Sequence, residues 1–137
     1  MSGVLHQATC VAIGGRAVLI EGRPGSGKSS LALALIDRGA VLVGDDGVSL
    51  EVRGNRLYAS PAPAIAGLLE VRNLGLLQFP TLSQVPVGLV LRLDPAAPRF
   101  TESAEKVDIL RAVVPMLRIW PHSDPIKAEL ALKHFGV

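Results

Sequence analysis

The sequence predicts an α/β fold, a mixed sheet with hairpins around one helix that follows a glycine-rich loop. Two observations carry it. First, the apolar run Ala17-Val18-Leu19-Ile20 feeds the glycine-rich stretch Gly22–Ser29, and a helical stretch Ser29–Arg38 follows, closed by Gly39. Second, short apolar runs are joined by the turn residues Gly14-Gly15 and Arg53-Gly54-Asn55. Such turns mark antiparallel hairpins, which a purely doubly wound sheet lacks.

In chain order, Val4–Ile13 reads as one strand, and Gly14-Gly15 turns it into a second, Arg16–Glu21. Within the helix, Leu31–Ile36 is apolar all round, so it is expected to be covered on nearly every side. Ala40–Val43 is a buried strand ending at Gly44-Asp45-Asp46, and Val48–Val52 pairs with Arg56–Ala59 as a hairpin. Ser60–Pro63 is interrupted by proline and reads as a loop. Leu68–Gln78 fits strand and loop equally by periodicity. Val85–Leu93 is a strand, Asp94–Thr101 a loop, and Val113–Trp120 the last strand. Pro125–Phe135 is the closing helix, with Pro125 in its first turn and Asp124 as N-cap. No repeat or linker divides the chain, so residues 1–137 are read as one domain.

Composition narrows the function classes. Hydrophobic residues make up 49% of the chain, yet no apolar run reaches the length of a membrane span, so the excess is assigned to buried sheet and subunit contacts. The net charge is +2, but the 14 basic residues are scattered among 12 acidic ones and aromatics are only 4%. That pattern argues against nucleic-acid binding and suits a nucleotide or an acidic partner. The single cysteine, Cys10, has no internal disulfide partner, and the N-terminus has no secretory pattern. A cytoplasmic location is expected, with Cys10 a small buried hydrophobe.

Gly22-Arg23-Pro24-Gly25-Ser26-Gly27-Lys28-Ser29 is a complete phosphate-binding P-loop of the form G-x-x-x-x-G-K-[ST]. Its glycines let backbone N–H groups curl round phosphate oxygens, and Lys28 reaches the β- and γ-phosphates. The Ser29 hydroxyl is placed to ligate Mg²⁺, Ser30 follows in the first helical turn, and the helix N-terminus adds positive potential. The motif predicts a bound nucleoside triphosphate, with Mg²⁺ at Ser29.

The next chemistry is Asp45-Asp46, at the C-terminal end of an apolar strand, where α/β sheets hold ligands. One carboxylate there holds Mg²⁺ directly or through water, and its neighbour takes the proton of an attacking hydroxyl. Taken alone, Asp-Asp-Gly also reads as an ordinary turn.

His6, Gly22–Ser29, Leu42-Val43-Gly44-Asp45-Asp46 and Leu68-Leu69-Glu70-Val71-Arg72-Asn73-Leu74-Gly75-Leu76 resemble, in order and spacing, the catalytic domain of HPr kinase/phosphorylase. The segment around Glu70 is similar to that family's signature and is more specific than the P-loop. The resemblance covers roughly residues 4–80 closely and the remainder loosely. It implies a P-loop-containing HPr-kinase-like (phosphoenolpyruvate-carboxykinase-like) fold. It also implies ATP- and Mg²⁺-dependent phosphorylation of a serine of HPr, the phosphocarrier of the sugar phosphotransferase system, with a reverse phosphorolysis in many members. Assembly as a hexamer is a further implication.

By the same resemblance, Asp45 is the general base, Asp46 supports the metal or Asp45, and Glu70 joins Ser29 as a Mg²⁺ ligand. Arg72 orders the site, and His6 lies near the transferred phosphate. Read without the resemblance, Glu70 and Arg72 are an exposed ion pair and His6 a structural strand residue. Asn73 departs from the family's glycine, Ser30 from its glutamate, and the chain resembles a catalytic-domain-only short form. The family's basic C-terminal loop has only Arg111, Arg118 and Lys127 as candidate counterparts.

Two other functions fit the same P-loop. A small-molecule kinase needs an arginine-rich lid, which the sequence does not display. A non-catalytic ATP-sensing module needs the loop but makes no demand on the carboxylates.

Overall fold

The computed structural model describes residues 3–137, in the mixed α/β arrangement expected. Its main sheet runs β1 (Val4–His6), β5 (Val48–Arg53), β6 (Arg56–Pro61), β9 (Val85–Leu93), β3 (Arg16–Glu21), β2 (Thr9–Ile13), β4 (Val41–Gly44). β11 (Ala112–Ile119) also joins β9, and β10 (Glu105–Ile109) pairs with β11. Separate from this sheet, β7 (Leu68–Val71) and β8 (Gly75–Gln78) form a two-stranded hairpin.

β9 is where the two halves of the sheet meet. Its first residues, Val85 and Pro86, pair antiparallel with β6; the rest runs parallel to β3 and β11. Alternation along β3 explains how both faces are covered. Ala17 and Leu19 enter one core with Leu50, Leu57 and Met116, beneath the β5–β6 hairpin. Val18 and Ile20 enter the other, against Leu31 and Leu35 of α1 (Lys28–Asp37) and Leu132 of α2 (Pro125–Phe135). Cys10 is fully buried in the first core, and burial pushes its thiol pKa up.

Several element boundaries differ from expectation. Val4–Ile13 is two strands broken at Gln7-Ala8, since β1 pairs with β5 while β2 pairs with β3 and β4. β6 extends to Pro61, and the proline-rich stretch beyond it forms a 3₁₀ turn, Pro63–Ile65. Leu68–Gln78 resolves as a hairpin because Asn73 takes the left-handed region (φ 73), which asparagine tolerates well. α1 is less enclosed than its sequence suggests: Leu31, Ala32 and Leu35 are buried, but Leu33 and Ile36 only partly. Asp124 sits at the N-cap of α2 without a side-chain capping bond. β10 had no counterpart in the sequence reading; it is an exposed edge strand whose charged residues obscure the strand period.

β3, β9 and β11 are mutually parallel, and β4 shares their sense because it is antiparallel to β2, itself antiparallel to β3. The segments following all four strands therefore emerge at one end of the sheet. Gly22–Gly27, Asp94–Ala97, Trp120–Asp124 and Asp45-Asp46 gather there.

Candidate phosphate and carboxylate site

The P-loop joins β3 to α1, with Gly25 (φ 81) and Gly27 (φ 99) in conformations that side-chain-bearing residues rarely adopt. The Ser26 N–H donates to the Arg23 carbonyl at 3.0 Å and closes the turn. Gly27 is the N-cap of α1 and offers no capping side chain, so the first-turn N–H groups remain available to an anion. The Lys28 Nζ folds back over the loop, donating to the Gly22 carbonyl at 2.8 Å and the Arg23 carbonyl at 3.3 Å.

A cleft of about 260 Å³ opens beside this loop. Pro24, Gly25, Gly27, Lys28, Ser29 and Ser30 line one wall. Thr9, Asp45, Asp46, Glu70 and Arg72 line the other. Gly22, Arg23 and Ser26 lie outside the lining and serve through their backbone. A Cβ on Gly22 would lie 2.6 Å from the Ser26 hydroxyl oxygen, so the loop closes tightly only with glycine there.

The two aspartates differ sharply. Asp45 is buried, and its Oδ1 accepts hydrogen bonds from the Thr9 hydroxyl at 3.0 Å and the Ser29 hydroxyl at 2.8 Å. Its Oδ2 accepts from the Glu70 backbone N–H at 3.2 Å. Asp45 thus ties together β2, the start of α1 and β7. Asp46 is exposed and held in the left-handed region (φ 62). The tight turn after β4 explains the contrast: a Cβ at Gly44 would collide with the Gly47 carbonyl, and the chain reverses at once into β5.

The oxygen donors suit Mg²⁺, a hard cation that takes one or two carboxylates and otherwise substrate phosphates and water. The Ser29 hydroxyl spends its proton on Asp45 and keeps its lone pairs for a cation. Asp45 stands beside it; the Glu70 and Asp46 carboxylates line the same cleft. Among the described residues no group of three or more His, Cys, Asp or Glu side chains is gathered to hold a metal by itself. The residues fit a metal shared with bound phosphates.

His6 does not line this cleft. It is half-buried on β1, opposite Val48, and lines a neighbouring apolar cavity of about 410 Å³ together with Leu5, Asp46 and Ile65. Arg72 is exposed at the cleft mouth, at the end of β7. The C-terminal candidates are occupied elsewhere or remote. Arg118 pairs with Glu105 and Asp94, Lys127 lies over the Trp120 ring, and Arg111 sits in the β10–β11 turn.

Three contributions escaped the sequence reading. Thr9 looks like any β-favouring strand residue, yet it anchors Asp45. Glu21 and Arg92 are register partners on β3 and β9, and the Arg92 guanidinium donates to Glu21 at 2.8 Å. His122, with φ 58, packs on the P-loop: its N–H donates to the Ser26 carbonyl at 3.2 Å, and a Cβ on Gly27 would lie 2.8 Å from its Nδ1. No motif announces any of the three.

The His6 ring, and after it Arg92, holds the Glu21 carboxyl below its usual range, against the opposing effect of burial. A depressed folded value means that this carboxylate stabilises the fold above the ordinary carboxylate range, near pH 4.3. The contribution fades as pH falls through the lowered value. Thermal unfolding of wild type and Glu21→Gln should differ steadily near neutrality and converge below about pH 4. A gap that widens on acidification contradicts the assignment.

Comparison with known proteins places the chain in a family. Residues 2–85 match the family model described as HPr Serine kinase C-terminal domain. An HPr kinase/phosphorylase of an Exiguobacterium species is 45% identical over 102 residues, 69% of this chain and 31% of that protein. One from Streptococcus thermophilus is 34% identical over 122 residues, 80% of this chain and 40% of that protein. The chain thus spans about a third of the length of the curated relatives it matches. The solved structure of the Hpr(Ser) kinase/phosphatase from Coxiella burnetii superposes with a TM-score of 0.86 at 28% identity, covering 95% of this chain and 94% of that one. No helix of the described residues is long and apolar enough to cross a membrane.

Proposed function

Because the chain belongs to the HPr serine kinase C-terminal domain family, we propose that it uses ATP and Mg²⁺ to phosphorylate a serine of HPr or an HPr-like phosphocarrier. Through that modification it would regulate phosphotransferase signalling and carbohydrate metabolism. The observation that carries the reading is the division of labour at Asp45-Asp46. One carboxylate is buried against the P-loop serine and the other is open beside it.

The P-loop N–H groups receive the phosphates, and Lys28 exchanges two carbonyl acceptors for phosphate oxygens. Ser29 and Asp45, with Glu70 across the cleft, would hold Mg²⁺, which when bound neutralises phosphate charge. The acceptor serine oxygen forms a bond to the γ-phosphorus as the bond to the β–γ bridging oxygen breaks, and ADP leaves. The serine proton passes to a carboxylate. Asp45 carries three hydrogen bonds within the fold, so we assign that role to Asp46. This reverses the roles that the resemblance implies for the pair. Arg72 at the mouth and His6 on the far side of Asp46 complete the acceptor side. No covalent enzyme intermediate is required.

The hexameric homo-oligomer implied by the resemblance is compatible with the exposed Leu74 and Leu76 on the β7–β8 hairpin. The test of function is incubation of the purified chain with Mg-ATP and purified HPr, with mass analysis for phosphoserine. Adding inorganic phosphate and measuring pyrophosphate reads the reverse reaction. ATP binding without transfer to HPr would favour an ATP-sensing module; transfer to a small metabolite would favour a small-molecule kinase.

A further inference from the structure

β1 is only three residues long, and among the described residues its strand pairing is with β5 alone. It carries His6, whose register partner Val48 lies two residues beyond Asp46. β1 and the Asp46 turn therefore form one small unit, the acceptor side of the site. The P-loop belongs to another unit, built on β3 and β9. Asp45 ties the two inside the cleft through Ser29, and a second side chain spans them on the rim. Glu21, the residue immediately before the P-loop, receives His6 Nε2 on Oε2 at 2.9 Å. Its Oε1 receives Arg92 Nη2 at 2.8 Å and Nε at 3.2 Å.

We infer that Glu21 is a positioning residue, which fixes the ring orientation and tautomer of His6 and registers the acceptor side against the P-loop. The inference rests on the kinase reading above. A carboxylate has only lone pairs to offer, so the bond to Glu21 requires the proton on Nε2, and in the neutral ring Nδ1 is then the acceptor. Arg92 keeps the carboxylate in place from the opposite side, and its fork geometry holds the second oxygen by two N–H groups. Glu21 also lines a small cavity of about 160 Å³ with Gln7, Lys28 and Asp46, so the tie sits against both reacting halves.

Glu21→Gln is the direct test. Glutamine still offers an oxygen to Arg92, but its amide N–H₂ donates towards His6 and favours the other tautomer. Nitrogen-15 NMR of the His6 imidazole should report Nε2–H in the wild type and a shift towards Nδ1–H in the variant. Turnover with Mg-ATP and HPr should fall about 10- to 100-fold, with KM for ATP unchanged within about twofold. In a His6→Ala background the same substitution should cost little more, because Glu21 acts through the ring. An Nδ1–H tautomer in the wild type, or a full additive loss in the His6→Ala background, overturns the proposal. If the wild type transfers no phosphate to HPr, the kinase reading fails and takes the catalytic half with it. The wild-type tautomer still decides the tie itself.

Discussion

Replacing Asp46 by asparagine is expected to lower kcat for transfer to HPr by about 10²- to 10⁴-fold, the usual worth of a positioned general base. ATP affinity and melting temperature should stay close to wild type, because the Asp46 side chain is exposed and is not among the groups that hold the P-loop. The measurement is steady-state turnover beside nucleotide binding by calorimetry. Loss of binding in parallel with turnover would show that Asp46 serves the phosphates rather than the acceptor hydroxyl.

Asp45→Asn is expected to fail differently. The Thr9 and Ser29 hydroxyls and the Glu70 N–H lose a charged acceptor in a buried setting, and disturbing such a group costs about 1–3 kcal/mol. The melting temperature should therefore drop. Because Asp45 orients the serine proposed to ligate Mg²⁺, the magnesium concentration for half-maximal rate should rise about 10- to 100-fold. Magnesium titration of the two variants separates the roles. Identical profiles for Asp45→Asn and Asp46→Asn would dissolve the distinction between a buried anchor and an open base.

Legibility in the sequence followed the range of the interactions. The P-loop strand and its helix were readable because they use local rules, an apolar run, glycines at fixed spacing and helix propensity. The Gly14-Gly15 and Arg53-Gly54-Asn55 hairpins were readable for the same reason. The break between β1 and β2 was not, because Gln7-Ala8 carries no turn signal and only the different partners of the two strands divide them. Within the site, the sequence placed Asp45 and Asp46 beside the P-loop but not which of them is buried. That depends on Thr9 and on the backbone of β7, both distant along the chain. Thr9, Glu21, Arg92 and His122 act through pairings of high sequence separation, which periodicity does not register.

The contact of His122 with Ser26 and Gly27 bears on the order in which the chain is made. Synthesis delivers Gly22–Ser29 early, when β9, β11 and the segment after them are still to come. At that stage the loop has its glycines and lysine but lacks the central strand beside β3 and the backbone that grips Ser26. A nascent chain halted before residue 122 therefore carries the complete phosphate-binding motif without its outer support. Under the proposed function, nucleotide competence would be a late property of synthesis, gained when the segment after the last strand docks.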